Sequence, residues 1–504
     1  MSFSVKNLCA LFPWLAFALF SPEPALSVEQ WEVHECALTT SKQYANPWLD
    51  VSLSATFTHR RTGTMLHVPG FYDGDGKGGQ KGKVWKLRFM PTSVGTWRFT
   101  TKSNDAHLNG VSGSITVTPP TAGNHGPVTQ HPTEPNHYAY ADGTEFILLG
   151  DDEHYEKFLK SLAKGDGRAE KQAEYDRKHH INTRTTHSHN RYAPPEYGSA
   201  FVGGVNGDYR QMNMTYWKNL DRAMRFFQRH GYQIVHSFLS WNENKQYDHE
   251  DVFDEYFSYG IARLWAYRCV MSYNLGGEVD EHKTKDWAEK WMKFIHQSDP
   301  LGRKVVVHHT RYWHWYGPKG QDWWMGVWAQ LWKSPDDLNA EVLRIRSETD
   351  KPVWIQEYIY LPGRGGPTAA RQKTWAMYLA GAYGSGASTA DIFPWSSDWI
   401  PEVGRMMDIL RQSDYPHLQP HNELITSGGK GKYCMADPGN QYIIYSLEGS
   451  SIELDLRQYP RTFTVRWYDP VRGTHKPPAS VRGGRRVRLH SPFGEAEAAV
   501  IVRH

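Results

Sequence analysis

Two glutamates stand at the ends of apolar runs in this chain. Glu278 follows "VMSYNLGG", where a glycine pair lets the backbone turn sharply without Cβ clashes. Glu357 lies in "KPVWIQEYIY", where alternation turns either it or its neighbour Gln356 to the inner face. Two carboxyl groups facing each other from separate elements are what glycosidic bond cleavage requires. One, protonated, gives its proton to the leaving oxygen; the other attacks the anomeric carbon or activates water. A single glutamate in such a place more often caps a helix or pairs with an arginine. Two at matching strand ends carry more weight. Asp280 and Glu281 read as first-turn residues of the helical pattern "EHKTKDWAEKWMKFIHQ", where carboxylates meet the positive end of the helix dipole.

The elements that must position such a pair lie between about Tyr138 and Leu418. Apolar runs of five to eight residues alternate there with longer helical patterns, which is the texture of parallel strands with helical crossovers. Eight runs occur: "FILLGDD", "INTRTTHSH", "YQIVHSFLSW", "VMSYNLGGE", "KVVVHHT", "WMGVWAQ", "PVWIQEY" and "ASTADIFPW". Eight strands over about 280 residues fit a (β/α)8 TIM barrel, whose active site is built at the carboxyl ends of the strands. The doubly wound alternative lacks its fingerprint, because "GDGKGG" near Gly74 precedes no helix. The expected strand ends supply groups suited to sugar hydroxyls and ring faces: Asp151, Asp152, His187, His189, Asn190, Trp241, Asn242, His308, Trp328, Gln330 and Trp395. Strands four and seven lie across a barrel from each other, so Glu278 and Glu357 can address one sugar ring from two sides.

The histidines raise a different chemistry. His187 and His189 fall on one side of a strand, and His308 or His309, with Asp391, could complete the metal site of an amide- or ester-cleaving barrel hydrolase. Against it, the sixth run offers no histidine, so the expected site has no metal and no cofactor. A non-catalytic glycan-binding protein is the further alternative.

On either side of the barrel the period changes to short alternating runs. Residues 28–120 read as an N-terminal Ig-like β-sandwich, 121–137 as a linker, 138–420 as the barrel and 428–504 as a small C-terminal β-sandwich. In the last of these, "SVRGGRRVRLH" reads as a hairpin turning at Gly483 and Gly484 with arginines on its exposed face. Residues 1–27 have the form of a signal peptide: Lys6, then "LCALFPWLAFALF", then a small-residue site ending at Ser27. The expected location is secreted or periplasmic, with no membrane contact after cleavage. Net charge is +3 and stays so without Lys6 and Glu23, which calls for no nucleic acid partner. Of four cysteines three remain after cleavage, so no disulfide framework is implied. The 21 tryptophans suit either sugar stacking or core filling.

The acidic residue after "LGG" on the fourth run, the glutamate after the apolar seventh, and the opening "YADGTEFILLGDD" together resemble the clan A glycoside hydrolases, and within them the apiosidase-like barrels. The segment "FYDGDGKGGQKGKVWKLRFMPTSVGTWRFTT" resembles the N-terminal domain of unknown function found before many such barrels. The tail "YCMADPGNQYIIY" with "VRWYDPVRGT" is similar to a C-terminal sandwich often labelled collagen-binding, a label that by itself implies no collagen partner. The resemblance implies a retaining hydrolase acting on a polysaccharide or oligosaccharide, with Glu278 at the acid/base position and Glu357 at the nucleophile position. Its carboxyls would stand roughly 5 to 5.5 Å apart. Gly277 stands where many clan members have Asn, and Glu278 where the apiosidase-like pattern has Asp. The apiosidase substrate is therefore not carried over.

Overall fold

A computed structural model describes residues 27–151, 155–189, 193–239, 248–310, 315, 321–361, 366–388, 399–427, 430–449 and 451–504. Its centre is a nearly closed barrel of eight parallel strands: β1 (Gly150–Asp151), β2 (Thr183–His187), β3 (Gln233–Ser237), β4 (Val270–Asn274), β5 (Val305–Val306), β6 (Val327–Gln330), β7 (Val353–Glu357) and β8 (Tyr383–Ser388). The hydrogen-bonded order is β5-β4-β3-β2-β1-β8-β7-β6. Two isolated parallel bridges, Val305 with Trp324 and His309 with Ala329, span the seam between β5 and β6. Helices cover the outside, among them Met214–Arg229, Phe253–Leu264, Lys285–Ser298 and Pro335–Glu348. Their starts are capped as the sequence dictates: Asn213, Thr284 and Ser334 each accept a backbone N–H from three residues on.

Two strand assignments shift, and the expected linker is not free of strand. Among the described residues of "FILLGDD", Gly150 and Asp151 alone enter the barrel. Glu145–Phe146 instead pairs with Tyr138–Tyr140, and that strand with Val128–Gln130, in a small antiparallel sheet. The segment expected as a linker thus contributes a strand. It packs at the amino ends of the barrel strands, where Lys304 donates to Gln130 at 2.7 Å and His137 meets the Tyr383 hydroxyl at 2.7 Å. The eighth strand is "YGSGAS", upstream of most of the expected run. Its small residues carry no apolar signal because neighbouring side chains occupy the space; a Cβ on Gly384 would lie 2.2 Å from Met377.

In the N-terminal region seven strands form one continuous path. Met65–Tyr72 pairs through its first half with Leu53–His59 and through its second half with Val84–Phe89. The path folds over itself so that Phe57 stacks on Phe89 with centroids 4.0 Å apart. In the C-terminal region a seven-stranded sheet faces a two-stranded one around Ile444, Leu454, Phe463 and Val500. The expected arginine hairpin does not form. Ala479–Arg482 pairs with Thr462–Asp469, whereas Arg486–His490 pairs with Ser451–Asp455 in the other sheet. Gly483 and Gly484 carry the chain between the layers, Gly484 at φ +80°. The tryptophans largely fill cores: Trp85, Trp97, Trp217, Trp265, Trp328 and Trp375 are fully buried.

A buried charge network joins the N-terminal strands to the barrel. Arg88 donates to both oxygens of Asp221 at 2.6 and 2.7 Å, and Arg263 donates to Asp221 at 2.8 Å and to Asp73 at 2.6 Å. Asp221 lies on helix Met214–Arg229 and Arg263 on Phe253–Leu264, so two barrel helices and one sandwich strand share a single carboxylate. Burial alone would push Asp221 up, but the two guanidiniums hold it well below the usual carboxylate range. Asp221→Ala leaves both guanidiniums buried without it. Urea denaturation should show a loss of about 3–5 kcal/mol, and a loss below about 1 kcal/mol would mean that the network adds nothing to domain docking.

Candidate active site

The turn after β4 is held from within. Asn274 donates to Ser237 Oγ at 2.8 Å and its side-chain oxygen accepts Gly276 N–H at 3.2 Å. Glu278 then takes the left-handed conformation, φ 52° and ψ 34°, and begins the short helix Val279–His282. Among the described residues only Trp31, His180 and Glu278 are non-glycine residues with positive φ. Such a backbone costs about 1–3 kcal/mol and persists where the surroundings impose it.

On the opposite wall, Trp328 pairs with Trp354 and Gln330 with Glu357, although one residue lies between the two paired positions on β6 and two on β7. The extra residue is a bulge, a device that re-aims a side chain at a strand end. It brings Glu357, rather than leaving Gln356, opposite Gln330. The Gln330 amide reaches across to donate to Glu278 Oε1 at 3.0 Å. His308 Nε2 lies 4.0 Å from Glu357 Oε1, and its ring is 5.9 Å from that of Trp328. Gln330 thus bonds Glu278 while His308 stands beside Glu357, in one cluster at the carboxyl ends of β4, β5, β6 and β7.

Electrostatics separate the two carboxyls from their surroundings. Burial pushes the Glu278 carboxyl up; the Gln330 hydrogen bond opposes this, and Glu281 adds to the rise. Burial lowers His308 to about 3, so its imidazole beside Glu357 is neutral. One carboxyl is therefore biased toward its protonated form, as a proton donor requires.

The remaining expected site residues divide. His187 ends β2, half-buried, with its carbonyl accepting the Tyr216 hydroxyl at 2.6 Å. His189 is buried, stacked with Phe201 and Tyr209 under the hairpin Phe201–Val202/Asp208–Met212. Asp151 turns away from the mouth: it accepts Arg184 Nη1 at 3.1 Å, and Arg184 also pairs with Asp176 on helix Arg168–Lys178. A two-residue strand left its parity open, and a buried arginine claims it. Trp328 is fully buried, stacked on Trp354 at 5.1 Å, so it underlies the site and does not form an open subsite floor. His309 sits beside Asp280, 3.8 Å away. Asp280 also accepts Thr310 N–H, and the long helix begins separately at Lys285. Asp152, Asn190, Trp241, Asn242, Asp391 and Trp395 lie outside the described residues. Among the described residues the histidines of β2 and β5 do not converge on a metal-sized site; the one such grouping is Glu145, Asp414 and His417, exposed and far along the chain from both. Sequence reasoning missed Asn274 and Trp354. The inward parity of Asn274 with Glu278 in "NLGGE" was the available signal for the first.

The sequence profile of a domain described as "Domain of unknown function (DUF5060)" matches residues 27–104. No curated protein matches the chain significantly. Among solved structures, a candidate glycoside hydrolase of Bacteroides vulgatus aligns at TM-score 0.75 and 20% identity, over 95% of this chain and 99% of that one. A glycoside hydrolase family 5 protein of the same organism aligns at TM-score 0.60 and 15% identity, over 75% and 93%. A third, named a glycoside hydrolase, aligns at 0.60 and 14%, over 75% and 97%. The chain therefore shares its fold with glycoside hydrolases; a shared fold does not by itself fix the chemistry.

Two outcomes are expected from this geometry. Removing the donor that favours ionised Glu278, as in Gln330→Leu, should raise its proton affinity and move the alkaline limb of a pH–rate profile to higher pH; an unmoved limb would show that the hydrogen bond has no such influence. Glu278→Gly should stabilise the fold by about 1 kcal/mol in denaturant titrations, because glycine adopts this backbone freely. Destabilisation would mean that the side-chain contacts outweigh the strain.

Proposed function

We propose that this protein is a secreted glycoside hydrolase that cleaves O-glycosidic bonds in a plant, algal or microbial polysaccharide with retention of anomeric configuration. The observation that carries this reading is the cluster in which Gln330 bonds Glu278 while standing in register with Glu357, at the carboxyl ends of β6 and β7. The fold shared with glycoside hydrolases supports it, as does the leader-like start of the sequence.

In this mechanism a Glu357 carboxylate oxygen attacks the anomeric carbon as the bond to the leaving oxygen breaks, and the Glu278 proton passes to that oxygen. Glu278, now ionised, takes a proton from water as the water oxygen attacks the anomeric carbon and displaces Glu357. The upward push on Glu278 suits its first task, since the acid must carry its proton near neutral pH. The neutral His308 brings no positive charge to Glu357, which suits a nucleophile. The domain division that accompanies this reading is a sandwich over 28–120, a barrel over 138–420 and a second sandwich over 428–504.

Reducing-sugar release from a panel of plant, algal and microbial polysaccharides, with Glu357→Ala as the blank, tests the proposal. Release should fall at least about a thousandfold in the variant, and NMR of the first-formed product should show retained configuration. Turnover within a few-fold of the parent in Glu357→Ala would refute the assignment of the nucleophile. Binding without any release by the parent would instead favour a glycan-binding protein.

A further inference from the structure

The hairpin Phe201–Val202/Asp208–Met212 belongs to the loop that follows β2, on the face where β2, β4 and β7 present their ends. It is anchored to the residues just past β2 by the bridge between His189 and Ser199, and Ala200 N–H donates to the Ser188 carbonyl at 2.7 Å. It also reaches the loop after β3, where Tyr209 stacks on His249 at 4.0 Å and Arg210 pairs with Asp251 at 2.5 Å. Its outer strand, however, is gripped by the N-terminal domain. Asn46 Nδ2 and Trp48 Nε1 both donate to the Arg210 carbonyl at 2.8 Å. Gln80 donates to the Met212 carbonyl at 2.6 Å while its own carbonyl oxygen accepts Met214 N–H at 3.2 Å.

The turn that carries Gln80 is built to hold that position. In "DGDGKGG" the Asp75 carboxylate accepts the N–H groups of Lys77 and Gly79 at 2.7 and 2.8 Å, and Gly74, Gly76 and Gly78 adopt positive φ. The carbonyls of Gly76 and Gly78 then meet Lys218 and Thr215 on the first turns of helix Met214–Arg229, at 3.3 and 3.2 Å. The glycine-rich motif thus presents backbone carbonyls and one amide side chain to the barrel.

We propose that the N-terminal domain is a brace for the active-site mouth: Trp48, Asn46 and Gln80 are positioning residues that hold the loop after β2 in place. A two-stranded ribbon is marginal on its own, so its order depends on what it packs against. Here the outer strand receives its donors from another domain. That the hairpin borders a substrate groove rests on the glycosidase reading; that the sandwich holds the hairpin does not.

The test is amide hydrogen exchange by mass spectrometry on the full chain, comparing the parent with Gln80→Ala, Trp48→Phe and the double variant. Trp48→Phe keeps an aromatic ring and deletes the N–H donor together with part of the indole's contact area. Peptides covering 199–212 should exchange at least about tenfold faster in the double variant, with the strands β3 to β7 unchanged. With a polysaccharide that the parent cleaves, KM should rise more than kcat falls. Unchanged exchange over 199–212 would overturn the inference, because the barrel alone would then order the hairpin. Faster exchange throughout the barrel, in Trp48→Phe as well as Gln80→Ala, would also overturn it, since these contacts would then serve global stability. Loss of the local protection in a protein that cleaves no glycan would leave the brace standing and remove only the glycosidase reading.

Discussion

Closure of the parallel ring is the constraint on which the rest of this molecule depends. Eight strands that all run one way leave their carboxyl ends on a single face, so residues far apart in sequence end together only if the ring is complete. The seam between β5 and β6 is its thinnest point, joined by the bridges of Val305 and His309 to Trp324 and Ala329. That same seam carries Gln330, which bonds Glu278, and His308, which stands beside Glu357. The residues that close the ring and those that build the site therefore share one seam.

Charges buried outside the ring hold its coat in place. Arg184 on β2 binds Asp151 from β1 and Asp176 from the helix between them, joining two strands to one helix. Arg88 and Arg263 do the same between the N-terminal domain and the helices after β2 and β3, through Asp221. Such groups are costly to desolvate and more costly to leave unpaired, which makes their geometry specific. The domain that matches only a profile of unknown function is thus coupled to the barrel at two depths: by ion pairs at helix level and by neutral hydrogen bonds at the loop after β2.

Much of the architecture was legible in the chain. Caps at Asn213, Thr284 and Ser334 mark helix starts because their side chains satisfy N–H groups that the helix itself cannot. The glycine pair before Glu278 announced a turn. Other features were hidden for definite reasons. The eighth strand is glycine and serine because Met377 and Trp354 fill the space beside it, so no apolar run marks it. The arginine-rich tail alternates like a hairpin, yet its halves join different sheets, since alternation reports which face is buried and not which strand is the partner.

The sequence by itself determined the order of the three regions, the existence of a parallel α/β core and the two glutamates on which chemistry could rest. Local patterns suffice for these, because periodicity and capping act within a few residues. Only the tertiary structure decided that Glu357 and not Gln356 stands opposite Gln330, that Asp151 serves Arg184, and that Trp328 lies beneath the site. Each of these depends on a partner from another strand or helix: a bulge is a mismatch between two strands, and a buried ion pair needs both its charges in one place.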